Sequence, residues 1–149
     1  MSDLSILVLQ GPNLNLLGNR ESSIYGLKTL DSIHEDLKKE ASVLGVRIDF
    51  FQTNHEGQLI DRIHQAGREK INGIIINAAS LTHTSIGVRD ALAAAAIPFV
   101  EIHISNVYAR EEFRHKSYIS SLASGIVIGF GPDGYSLALS GLVKKLRTA

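Results

Sequence analysis

Apolar and β-branched residues gather in five short runs, at 6–9, 46–51, 74–76, 99–104 and 126–128, each bounded by Gly, Pro, Asn or Ser. Runs this short cannot build a helix, and their nearly continuous apolar character predicts buried strands. Between them the apolar spacing changes to three and four. Leu30, Ile33, Leu37, Ala41 and Leu44 share one helical face, with Thr29 placed to cap its start and Gly45 to stop it. Leu59, Ile60, Ile63 and Ala66 predict a second helix, and residues 86–96 a third that ends before Pro98. Tyr135, Leu139, Leu142, Val143 and Leu146 predict a fourth, whose last turn carries Lys144, Lys145 and Arg147, where positive charge suits the helix dipole.

Strict alternation of strand and helix implies a parallel sheet covered on both faces. Five strands at this length predict an α/β, flavodoxin-like three-layer sandwich with strand order 2-1-3-4-5. The stretch 105–124 fits this scheme least well, since residues 110–113 have room only for a short helical turn. In such folds ligands sit beyond the C-terminal ends of the strands, near the point where the strand order reverses. The loops to read are therefore 11–27, 53–56, 77–85, 105–114 and 129–134. The first is long for a compact domain, which points to function and often to a lid.

The chain has 149 residues, fifteen Lys plus Arg against fifteen Asp plus Glu, six His and no cysteine. One catalytic domain spanning 1–149 is expected, large enough to bury roughly 68–70% of its unfolded surface without a disulfide or structural metal. The absence of cysteine excludes thiol catalysis and cysteine-ligated metal centres. Zero net charge argues against nucleic acid or an anionic membrane as partner and favours a small molecule. No apolar run approaches the ~18 residues of a membrane span. Met1-Ser2-Asp3 leads straight into a strand-like run, so no signal peptide is expected and the cytoplasm is the default location.

Several motifs can be set aside. Gly129-Phe130-Gly131-Pro132-Asp133-Gly134 has dinucleotide-fingerprint spacing but follows the last strand instead of the first. Gly11-Pro12-Asn13-Leu14-Asn15 is no flavin phosphate loop, and a phospho-acceptor domain would end strand three in Asp where this chain has Asn77. The histidines are scattered, with no compact metal-ligand spacing. There is no G-x-S-x-G elbow, so a serine hydrolase would need Ser80, His103 and Glu101 to meet by folding alone.

What survives is a constellation at the strand ends. Glu101 and His103 stand two apart on strand four and share a face, so the carboxylate can orient the imidazole and raise its basicity for proton transfer. Either the pair is a polar strand end or it is functional, and two ionisable groups in a buried run need a reason. Asn77 ends strand three and Asn13 and Asn15 follow strand one, where each could simply cap a turn. Gathered with His83, Ser105, Arg110 and Arg114, they make a pocket for a small, polyhydroxylated anion, its carboxylate held by Arg114 or by backbone N–H groups near Ile104 and Ser105. Arg20 and Tyr25 lie in the long first loop. A tyrosine is a poor base unless cations such as Arg20 and Arg110 favour its phenolate.

The segment Gly11-Pro12-Asn13-Leu14-Asn15-Leu16-Leu17-Gly18, with Arg20-Glu21 and Ile24-Tyr25-Gly26, resembles the type II dehydroquinases, the cofactor-free 3-dehydroquinate dehydratases of the shikimate and quinate pathways. Thr53-Asn54-His55-Glu56-Gly57, Leu81-Thr82-His83-Thr84-Ser85, Glu101-Ile102-His103-Ile104-Ser105-Asn106, Ala109-Arg110-Glu111-Glu112-Phe113-Arg114, and Gly129-Phe130-Gly131 before Gly134-Tyr135 extend it in order from strand one into the last helix. Where the family usually has Pro, this chain has Ser22, which loosens the lid and removes no reacting group. The resemblance implies an anti elimination of water from 3-dehydroquinate through an enol or enolate, without cofactor or metal. It assigns Tyr25 as the base at C2, Arg20 as the charge that favours its phenolate, and His103, oriented by Glu101, as the proton donor to the departing C1 hydroxyl. Asn13 would hold a water against the enolate oxygen, and Asn77, His83, Ser105 with the Ile104 backbone, and Arg114 would bind substrate. It also implies a dodecamer of trimers in which Asp90 reaches a neighbour's pocket. The rival reading is a flavodoxin-like binding module that keeps the pocket without turnover.

Overall fold

The computed structural model describes residues 3–149, so the expectation drawn from Met1 and Ser2 about a leader lies outside the described residues. Five strands, β1 (Ser5–Gln10), β2 (Arg47–Gln52), β3 (Gly73–Asn77), β4 (Phe99–His103) and β5 (Gly125–Ile128), pair in parallel in the order β2-β1-β3-β4-β5. This is the predicted order. A one-turn helix, α1 (Ser22–Tyr25), follows β1, and four longer helices complete the layers: α2 (Leu30–Leu44), α3 (Glu56–Arg68), α4 (Ile86–Ala95) and α5 (Gly134–Thr148). None of the helices among the described residues is long and apolar enough to cross a membrane.

Side chains alternate across a strand, so β1 sends Ile6 and Val8 to one face and Leu7 and Leu9 to the other. The first face packs under α2 and α5 through Ile33, Leu37, Leu139 and Leu142. The second packs under α3 and α4 through Leu59, Ile63, Val88 and Leu92. β3 and β4 are buried at every position. Each fully buried Ile of β3 contributes about 1.5–3 kcal/mol relative to leaving it exposed.

The predicted caps are in place. Thr29 Oγ1 accepts from Ser32 N–H at 3.1 Å at the start of α2, and Gly45 ends that helix with φ +72°. The outer strands differ from expectation. β2 carries the exposed Arg47 and Asp49 and β5 the half-exposed Ile126, because each is a sheet edge with a neighbour on one side only. β4 stops at His103, one residue short of the predicted run, because the Ile104 carbonyl accepts from Gly131 N–H at 3.0 Å. The stretch 105–124 folds into three short turns, Val107–Ala109, Glu112–Arg114 and Ser120–Leu122, and the long first loop holds the Leu14–Leu16 turn as well as α1.

The ends of β1 and β3 are drawn together at Gly11, whose N–H donates to the Asn77 carbonyl at 2.8 Å. A Cβ at this glycine would stand 2.4 Å from the Ala78 carbonyl oxygen, a backbone atom that cannot swing away. Gly11→Ala should therefore part the two strand ends and destabilise the protein by about 1–3 kcal/mol, read by urea unfolding. An unchanged midpoint would mean that the joint yields without cost.

Candidate active site

An open cleft lies beyond the C-terminal ends of β1, β3 and β4. The loop after β1 contributes Asn13, Arg20 and Tyr25, that after β3 Asn77, Ser80 and His83, and that after β4 Ile104, Ser105, Arg110 and Arg114, with His103 itself at the strand end. Three predicted residues are not on the wall. Glu101 stands behind His103, Asn15 is exposed in the Leu14–Leu16 turn, and Asp90 is exposed on α4, outside the cleft of its own chain. The loops after β2 and β5, expected to line the site, support it from outside. Asn54 Oδ1 accepts from Asn13 N–H at 2.9 Å, and Gly129 N–H donates to the His103 carbonyl at 3.1 Å.

The Glu101–His103 pair has the predicted shared face, with Glu101 Oε2 2.5 Å from His103 Nε2. Both side chains are almost fully enclosed. Burial alone would raise the Glu101 pKa. Hydrogen bonds from His103, Ser120 and Ser117 outweigh it and hold the carboxyl below the ordinary glutamate value of 4.5. The His83 ring lies nearly parallel to that of His103 at 6.2 Å between centroids, and its Nδ1 donates to the Lys116 carbonyl at 2.8 Å. Burial pushes the His83 pKa down, with the charges of His103 and Arg114 adding to it against the Lys116 bond.

Tyr25 reaches the cleft because Gly18 and Gly26, at φ +92° and +82°, turn the chain on either side of α1, a backbone region closed to most residues. Arg110 Nη1 donates to the Tyr25 hydroxyl oxygen at 2.7 Å and to Ser105 Oγ at 3.2 Å. The guanidinium carbons of Arg20 and Arg110 stand 5.1 and 5.2 Å from the centre of the Tyr25 ring. Arg20 also pairs with Glu21 at 2.9 Å, and Arg114 with Glu111 at 2.9 Å. The cleft thus brings three arginines, a tyrosine and two histidines to one concave surface in a chain of zero net charge.

Asn77 lines the cleft and caps a turn. Its Oδ1 caps the following turn by accepting from Ala79 N–H at 3.1 Å, while its Nδ2 donates to the Tyr135 hydroxyl at 3.0 Å. Tyr135 in turn donates to Gln10 Oε1 at 2.7 Å. Burial pushes the Tyr135 pKa up to about 12, against the lowering effect of its two hydrogen bonds, so its proton stays in place. Sequence reading missed this network, and it missed Ser117 and Ser120. Each of these residues sits where periodicity speaks only of core or loop. Ser80 does line the cleft, but no hydrogen bond joins it to His103 among the described residues, so the hydrolase arrangement is not assembled.

The family model described as Dehydroquinase class II matches residues 4–143. Among curated proteins, the 3-dehydroquinate dehydratase of Legionella pneumophila strain Corby is 57% identical over 142 residues, covering 95% of this chain and 98% of that one. That of Methylococcus capsulatus is 60% identical over 134 residues, covering 90% of each. Among solved structures, the type II dehydroquinase from Butyrivibrio crossotus superposes with a TM-score of 0.93 at 40% identity, covering 95% of this chain and 99% of that one. The one from Propionibacterium acnes gives 0.90 at 42%, covering 96% and 99%.

The depressed Glu101 pKa links stability to pH. A carboxyl that holds its proton less tightly when folded stabilises the native state above the unfolded value of 4.5, and that contribution is lost as pH falls through the folded value. Urea unfolding should show Glu101→Gln less stable than wild type at about pH 6, with the gap narrowing at about pH 3.5. A gap independent of pH would mean that Glu101 is bound no differently as a carboxylate than as an acid.

Proposed function

The chain belongs to the class II dehydroquinases, and we propose from this membership how its cleft carries out their reaction. The protein is a hydro-lyase that dehydrates 3-dehydroquinate, an activity of the shikimate pathway. The pocket without turnover is therefore set aside. The observation that carries the proposed roles is that Tyr25 and His103 line one cleft, each engaged by a different partner: Arg110 at the phenol oxygen, Glu101 at the imidazole.

Tyr25 takes the C2 proton. An N–H at its oxygen and two guanidinium groups near its ring are what a phenolate needs in order to serve as a base. The electron pair left at C2 is delocalised into the neighbouring carbonyl, and Asn13 stabilises that oxygen through a water. The C1–O bond then breaks as the enolate collapses, and the hydroxyl leaves as water with a proton from His103. Nε2 of His103 is spent on Glu101, so Nδ1 is the donating nitrogen, and the ionised Glu101 supplies the counter-charge of a doubly protonated ring. The product is a conjugated enone. Arg114, His83, Ser105 with the Ile104 backbone, and Asn77 bind the substrate carboxylate and hydroxyls; for Asn77 one N–H and one lone pair remain after its bonds to Tyr135 and Ala79. Each catalytic domain works without cofactor or metal, in the cytoplasm. Asp90 completes the cleft of a neighbouring copy, within trimers assembled as a dodecamer.

Added to 3-dehydroquinate, the protein should produce the ultraviolet absorbance of the enone. Tyr25→Phe should lower kcat by at least ~100-fold with the fold intact, the usual loss for a general base. In His103→Ala water loss should slow more than C2 proton removal, so that deuterium from solvent enters unreacted substrate. Near-wild-type turnover in either variant would clear that residue of its role. Light scattering should give the mass of a dodecamer, and a monomer active at full rate would remove Asp90 from the site.

A further inference from the structure

Glu101 has a second carboxylate oxygen, and it faces a part of the chain to which the assigned roles give nothing. Oε1 lies 3.2 Å from Ser117 Oγ and 2.5 Å from Ser120 Oγ. The direction of these bonds is fixed by the turn that carries them. Ser117 Oγ already accepts from the N–H groups of Ile119 and Ser120, at 3.1 and 3.0 Å, so its own hydrogen is left for Glu101. Ser120 Oγ bonds only to the carboxylate among the described residues. The turn itself is tied down. Arg89 Nη1, from α4, donates to the Tyr118 carbonyl at 2.7 Å and to Ser121 Oγ at 3.0 Å, Tyr118 N–H donates to the Thr82 carbonyl at 3.0 Å, and Ile119 is wholly buried in the α3–α4 layer.

A carboxylate with two hydroxyl donors on one oxygen and an imidazole on the other has both its rotamer and its plane determined. We propose that Ser117 and Ser120 are positioning residues for the dehydration, acting through Glu101 to fix which nitrogen of His103 faces the substrate. This rests on His103 being the proton donor. Without the serines the buried carboxylate would be free to rotate and would gain a proton more readily, and a protonated Glu101 can neither orient the ring nor balance its charge. The other groups facing the pair are His83, stacked beside His103, and Arg110 and Arg114 on the cleft wall.

Ser120→Ala is the sharper test, because Ser120 Oγ takes no part in the turn's backbone bonds. Its kcat should fall about tenfold with KM within about twofold, and the acidic limb of the kcat profile should move to higher pH. Ser120→Thr, which restores a hydroxyl, should recover most of the loss. In a Glu101→Gln background Ser120→Ala should change kcat by less than about twofold, since the path between them is already cut. Should Ser120→Ala fail to fold, Ser120→Cys keeps the volume with a weak donor and is read in the same way. Wild-type kcat and an unmoved profile in Ser120→Ala, beside an impaired His103→Ala, would overturn the proposal and leave the proton-donor role standing. Wild-type turnover in His103→Ala would remove that role and this proposal together.

Discussion

A carboxylate inside a parallel sheet is tolerable only if its oxygens are supplied with donors, and Glu101 is such a group. It occupies the middle of β4, where its neighbours in the ladder, Ile76 and Ile126, offer apolar side chains. Three side chains converge on it instead, and the need to deliver them shapes this end of the molecule. The turn at 117–122 has to come back under the sheet to present Ser117 and Ser120, and α4 has to supply Arg89 to hold that turn. His103 gains a fixed orientation from the same arrangement. The cost of burying one charge is thus offset by contacts that also orient the imidazole at the cleft.

The cleft shows a second use of charge. Arg20, Arg110 and Arg114 reach it from two loops, and the pairing of Arg20 with Glu21 and Arg114 with Glu111 offsets their mutual repulsion. Arg110 shares Glu111 at the longer distance of 3.8 Å and spends its closest bonds on Tyr25 and Ser105. A chain of zero net charge thus presents a locally basic surface, because three arginines gather at one cleft.

The layers were legible in the sequence because a continuous β-branched run suits a buried strand and 3–4 spacing suits a one-faced helix. Thr29 and Gly45, and the Glu101–His103 face, follow from the same periodicities. The edges were less legible. The run at 46–51 contains Arg47 and Asp49, an alternation that belongs to a strand with one open side. The stretch 105–124 has no periodicity because it is built of short turns, and the partners of Glu101 on it are two serines that a sequence presents as ordinary loop residues. Strand ends and family resemblance together lead to Asn13, Arg20, Tyr25 and the arginines, and they are silent about what lies behind those residues. Tyr135 read as core, and it is core; its hydroxyl, joined to Gln10 and Asn77, has no periodic signature.

That hydroxyl has a bearing on the order in which the molecule can be made. The cleft wall is drawn from residues 12–114, all of which emerge from a ribosome before residue 135. Yet the Asn77 amide on that wall, and the Gln10 side-chain oxygen at the end of β1, meet the Tyr135 hydroxyl only once α5 is in place. During synthesis the nascent chain can pair β1, β3 and β4 and still lack the group that satisfies two polar side chains at their ends. The cleft is consequently among the last parts of the molecule to become fixed, and a ribosome stalled before α5 holds its wall without a finished floor beneath it.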